Sequence, residues 1–156
     1  MRWTAFNFGI GRGKNMTLPQ AIIKDPDWFF WLYEQKTLWG PLADEAEILD
    51  RRARNILLPG LVPGETEILY FVDDDGKFSD FQIQPASSGW AGGSNRPVIR
   101  RNVLDLSIPR QLKPYDKSGS KRIVRSLRDY VLGEGEKFTK KRCEKFFNTR
   151  KNFAVW

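Results

Sequence analysis

The chain has 156 residues, 40% hydrophobic and 29% charged, with a formal net charge of +7, enough to bury the core of one good-sized or two small folded units. It has no histidine and one cysteine, Cys143, which excludes Ser-His and Cys-His nucleophile pairs, histidine metal sites and Cys/His zinc sites. The charge is polarised: residues 1–95 carry 9 Lys/Arg against 13 Asp/Glu, net −4, and residues 96–156 carry 17 against 6, net +11.

Residues 3–8 alternate apolar and polar side chains, and Gly9, Gly11 and Gly13 behind them predict a hairpin turn. The glycines do not make a nucleotide cradle. A phosphate loop needs glycine five positions before its Gly-Lys and Ser or Thr after it, where this chain has Phe8 and Asn15. The dinucleotide pattern fails as well, because the glycines are spaced by two throughout. Arg12 and Lys14 are the turn's candidates for phosphate contact. Thr17 then caps a short helix beginning Leu18-Pro19. Asp25 followed by Pro26 opens a second helix, whose Trp28, Phe29, Phe30, Trp31 and Tyr33 are read as core ahead of a base-stacking platform.

The pattern of residues 4–36 resembles a small module, the exodeoxyribonuclease X-like C-terminal domain. The residues that carry the likeness are Phe8, Gly9, Arg12, Gly13, Lys14, Leu18, Ile22, Asp25, Pro26, Trp28 and Trp31. Ile10 and Gly11 stand where that family shows a lysine and an aromatic. The module occurs beside proofreading-type exonuclease domains and as small stand-alone bacterial and phage proteins. The resemblance implies a hairpin followed by helices, and work on nucleic acid.

Residues 41–58 form the clearest helical pattern, with Leu42, Ala46, Leu49, Ala53 and Ile56 on one face and Pro59-Gly60 as its stop. Its acids lie near the start and its arginines near the end, with Glu47–Arg51 and Asp50–Arg54 at i,i+4. Residues 66–84 read as two strands around an acidic turn ending in Gly76. Asp73 and Asp75 in that turn are the only metal candidates, and contiguous aspartates before a glycine are ordinary turn chemistry. No metal or other cofactor is assigned. Residues 96–108 predict one or two further strands, ended by Pro109.

Two basic helices close the pattern. Residues 120–132 place Ile123, Val124, Leu127, Tyr130 and Val131 on one side and Lys121, Arg122, Arg125 and Arg128 on the other. Thr139 caps the next helix, with Phe138 and Cys143 placed as a hydrophobic staple. That helix adds Lys140, Lys141, Arg142 and Lys145, and the strand region before adds Arg100 and Arg101. Cations in a helix's first turn oppose the macrodipole, which points to an outside anion.

The sequence therefore predicts an α+β protein: an N-terminal β-hairpin with helices over residues 1–60, then a small antiparallel sheet and two basic helices over residues 61–156, or one unit overall. The expected function is non-catalytic nucleic-acid binding, DNA ahead of RNA, through phosphate contacts. The alternative is a phage or mobile-element protein that modulates a host protein or nucleoprotein complex by protein contact. A carboxylate metal-dependent nuclease is third, and no catalytic constellation is found. No apolar run approaches the roughly 20 residues of a membrane span, and the single cysteine suits a cytoplasmic setting.

Overall fold

The structure is a computed structural model that describes residues 1–7, 14–86 and 97–156. Among these residues are six α-helices and a three-stranded antiparallel sheet, an α+β fold. The helices are α1 (Leu18–Lys24), α2 (Pro26–Gln35), α3 (Pro41–Ala53), α4 (Ile108–Leu112), α5 (Lys117–Val131) and α6 (Lys140–Asn148), with a 3-10 turn at Arg150–Asn152. The strands are β1 (Thr66–Val72), β2 (Phe78–Pro85) and β3 (Val98–Arg101), in the order β2-β1-β3.

The first two helices start where their caps dictate. Gln20 accepts from the Thr17 amide at 3.1 Å, and Asp25 accepts from the Trp28 amide at 3.1 Å. Ahead of them the predicted strand is reduced, among the described residues, to one bridge. Phe6 and Met16 exchange both main-chain bonds, at 2.8 and 3.1 Å. Residues 3 and 4 are held by side chains instead. Trp3 is buried and donates its indole N–H to Asn148 at 3.0 Å, and the Thr4 amide donates to Glu45 at 2.7 Å. The glycine turn itself lies outside the described residues.

Helix α3 buries the predicted face but ends at Ala53, five residues before the expected stop at Leu58. Ile56 leaves the helix to form antiparallel bridges with Leu104 and Phe153. A β-branched residue loses little by adopting extended geometry, and two tertiary partners outweigh one more helical turn. The strand expected to run to Pro109 ends at Arg101 instead, and Pro109 sits in the first turn of α4. Of the predicted ion pairs on α3, Arg54–Asp50 forms at 2.9 Å, whereas Arg51 turns to Trp156.

In the sheet, β1 is the central strand, and its residues 68–71 are buried on both faces. The turn between β1 and β2 is closed by Asp73, whose carboxylate accepts the amides of Asp75 and Lys77, both at 2.9 Å. Helix α5 packs on β2, with Tyr130 stacked on Phe81 at 5.7 Å. The fully buried Tyr70 hydroxyl donates to Val103 O at 2.7 Å and accepts the Asp105 amide at 2.8 Å, fixing the segment that leaves β3. One hydrophobic cluster runs from Trp3 to Phe153 and includes residues of both predicted segments.

A buried carboxylate joins the halves of the chain. Asp27, 1% exposed, receives Arg110 Nη1 at 2.9 Å and the Tyr115 amide at 3.2 Å, with Lys117 Nζ 2.8 Å from its other oxygen. Tyr115 adopts φ +64°, a left-handed turn that presents its amide to Asp27. Burial pushes the Asp27 carboxyl up, and the Lys117 and Arg110 contacts outweigh it, holding the group below its ordinary value of 3.8. A depressed carboxyl contributes stability above its unfolded pKa, and that stability is lost as pH falls through the folded one. Asp27→Asn is therefore expected to cost about 3 kcal/mol at neutral pH. In urea titrations the gap to the unaltered protein should narrow below pH 3.8.

Candidate nucleic-acid interface

The cations of residues 96–156 divide by what surrounds them. Those facing acids of the first half are neutralised. Arg100 meets Glu67 at 2.7 Å across the sheet, Arg110 meets Asp27 and Glu34, and Lys117 meets Asp25 and Asp27. The bidentate Arg110 contact holds the Glu34 carboxyl below its usual range. Arg101 folds onto the main-chain oxygen of Arg100 at 2.8 Å. Arg100 is thus neutralised across the sheet, whereas Arg101 is exposed and has no ion-pair partner among the described residues.

On α5, Lys121, Arg125 and Arg128 fall at i, i+4 and i+7, opposite the buried Ile123, Val124 and Leu127. Lys121 and Arg125 are exposed. Arg128 is partly buried and lies 3.4 Å from Asp129. Arg122 turns away from this stripe and donates to Ser79 O at 2.9 Å, at the start of β2.

Helix α6 is held by its cap and staple. Thr139 accepts the Arg142 amide at 3.3 Å, Phe138 meets Phe146 edge-on at 6.2 Å, and Cys143, Phe146 and Phe147 are buried. Its cations split by rotation about the axis. Lys140 points back to the N-terminal segment, donating to Asn15 O at 3.3 Å beside the exposed Lys14 and lining a cleft with Arg2 and Glu144. Arg142 and Lys145 instead line a groove of about 670 Å³. The groove's walls are residues 57–61, the end of α5 at Val131 and Leu132, and Phe146. Lys151, Thr149 and Asn152 complete the lining. Arg142 also pairs with Glu136 at 2.8 Å, both side chains about half exposed. Among the described residues, Lys121, Arg125, Lys141, Lys145 and Lys151 have no ion-pair partner.

The structure thus gathers Arg142 and Lys145 from the predicted set and adds Lys151. It leaves the α5 stripe, Lys140 and the β3 arginines as separate clusters. Arg12 lies outside the described residues. Arg51, Arg52 and Arg150 lie outside the predicted set, the α3 arginines being explained in the sequence by helix stability alone, although Arg52 carries a signal. Glu45 and Arg52 occupy the same face of α3 as Leu42, Leu49 and Ala53, so two charges interrupt an apolar stripe.

The metal candidates are occupied differently. Asp73 spends its carboxylate on turn amides, and no group of three or more acids, cysteines or histidines converges among the described residues. No helix among them is long and apolar enough to cross a membrane. Comparison with known proteins finds no matching family model, curated protein or solved structure.

Cys143 is 2% exposed, and burial, followed by the neighbouring Glu144 charge, pushes its thiol up to about 12. In the folded protein at pH 8 the thiol should react with a disulfide reagent far more slowly than in denaturant; equal rates would contradict its burial.

Proposed function

We propose that this protein binds nucleic acid without catalysis, with the groove between α6 and residues 57–61 as the centre of the contact surface. The observation that carries this reading is the charge sorting. Acids of the first half pair with Arg100, Arg110 and Lys117, while Lys141, Lys145 and Lys151 stand exposed without acid partners. The groove's lining combines apolar Leu57, Leu58, Leu61 and Phe146 with Arg142, Lys145 and Lys151, which suits a polymer of planar apolar bases joined by phosphates. Lys121 and Arg125 on α5 form a separate exposed cluster without acid partners among the described residues, available for further phosphate contacts. The likeness of residues 4–36 to the exonuclease-associated module points in the same direction.

A second reading has one observation in its favour. Trp39 is 83% exposed at the α2–α3 connection, next to a groove lined by Leu32, Tyr33, Leu38, Ala43 and Ala46. An aromatic so placed is a common anchor for a protein partner. Pull-down with and without nuclease separates the two: a partner that survives nuclease and is lost with Trp39→Ala favours protein contact.

For the nucleic-acid reading, labelled DNA and RNA oligonucleotides are titrated at several salt concentrations. Affinity is expected to fall steeply with salt. Lys145→Glu with Lys151→Glu is expected to reduce it about ten-fold or more with an unchanged thermal melt, whereas Arg100→Gln leaves it nearly unaltered. Equal affinity of the double variant and the unaltered protein would contradict the proposal.

A further inference from the structure

A second cationic site lies at the end of α3, where Arg51 and Arg52 meet Arg150 of the 3-10 turn. Arg52 is 5% exposed, its Nη1 donates to Phe147 O at 2.9 Å, and its Nε has no acceptor. None of the three arginines has an Asp or Glu partner among the described residues. Burial, then the charges of Arg51 and Arg150, depress the Arg52 guanidinium. A buried cation without an acidic partner is costly, and Arg52 is met by one ring and the Phe147 oxygen.

The ring is Trp156. The Arg52 guanidinium carbon lies 3.4 Å from its centroid, and that of Arg150 lies 5.8 Å from it. The main-chain oxygen of Trp156 accepts from Arg51 Nε at 3.1 Å and Nη2 at 3.0 Å. The arginine fork ordinarily grips phosphate or carboxylate in this two-pronged way. A planar ring on one guanidinium, with an oxygen in the fork of the next, is the contact set of a stacked base and its phosphate.

We propose that Arg51, Arg52 and Arg150 form a nucleotide site, for one base and its phosphate, which Trp156 fills in the free protein as a competitor in cis. The assignment rests on the nucleic-acid reading where the nucleotide belongs to a strand, but not where it is free. Displacing Trp156 would break its contacts with the three arginines and its ring contact with Phe153 at 6.0 Å, while Phe153 itself stays in the core. The chain is anchored just before it, by Phe153 at 1% exposure and by the Ala154 amide on Asn55 O at 2.9 Å. Val155 and Trp156 beyond are 45% and 39% exposed. Local opening of such a segment costs only its own contacts.

The test compares the full chain with Trp156→Ala and with a chain ending at Ala154, both of which keep Phe153. Calorimetric titrations use adenosine monophosphate, inorganic phosphate and a single-stranded octanucleotide. Both variants are expected to bind adenosine monophosphate about five-fold tighter or more, because the occupant no longer competes. Arg51→Gln in the Trp156→Ala background should cancel the gain, and inorganic phosphate should gain less because it cannot stack. A matching gain for the octanucleotide identifies the ligand as part of a strand; a gain confined to the mononucleotide identifies it as free. No gain for adenosine monophosphate in either variant, or an equal gain for phosphate, would overturn the assignment. Equal strand affinity of the Lys145→Glu, Lys151→Glu variant and the unaltered protein would sink the groove reading alone, since the mononucleotide reports on the arginine site separately.

Discussion

A carboxylate with 1% exposure must be met by donors or abandon its charge, and Asp27 is met by Arg110, Lys117 and the Tyr115 amide. Those partners come from α4, from the α4–α5 connection and from the first residue of α5. One buried acid on α2 therefore fixes where α5 begins. From that anchor α5 runs over β2, stacking Tyr130 on Phe81, and delivers Val131 and Leu132 to the groove wall beside α6. The shape of the candidate interface is a downstream consequence of that network.

The same pairing sorts the charge. Asp25, Asp27 and Glu34 are committed to Arg110 and Lys117, and Glu67 to Arg100. The surplus positive charge is thereby left on α6, the 3-10 turn and the exposed stripe of α5. Mutual repulsion there is screened by small counterions in solution. A phosphate polymer replaces those ions and gains from their release. Arg52 at the end of α3 faces the same problem in a buried setting, where an aromatic face and the Phe147 oxygen meet its charge.

Local chemistry was legible in the sequence wherever one residue decided the outcome. Asp25-Pro26 fixed the start of α2, Thr139 that of α6, and the contiguous aspartates before Gly76 the β1–β2 turn. Tertiary pairing was not legible. Ile56 satisfies the helical period of α3, yet it bridges Leu104 and Phe153, partners that become neighbours only after folding. Nor does the sequence show that Glu67 neutralises Arg100, since that depends on β3 lying beside β1. The expected continuous basic surface fails at this point and at Lys140, which helical rotation turns away from Arg142. Trp156 over Arg52 is the extreme case. Its only trace is a charge inside an apolar stripe, and nothing local names the ring that covers it.

The most direct test of the account is amide chemical-shift mapping with a short oligonucleotide at low and moderate salt. Charge sorting predicts salt-sensitive shifts concentrated at residues 141–151 and 57–61, extending along the exposed side of α5, with Arg100 little affected. Shifts centred on the α2–α3 groove around Trp39, or spread evenly over all basic segments including β3, would contradict it.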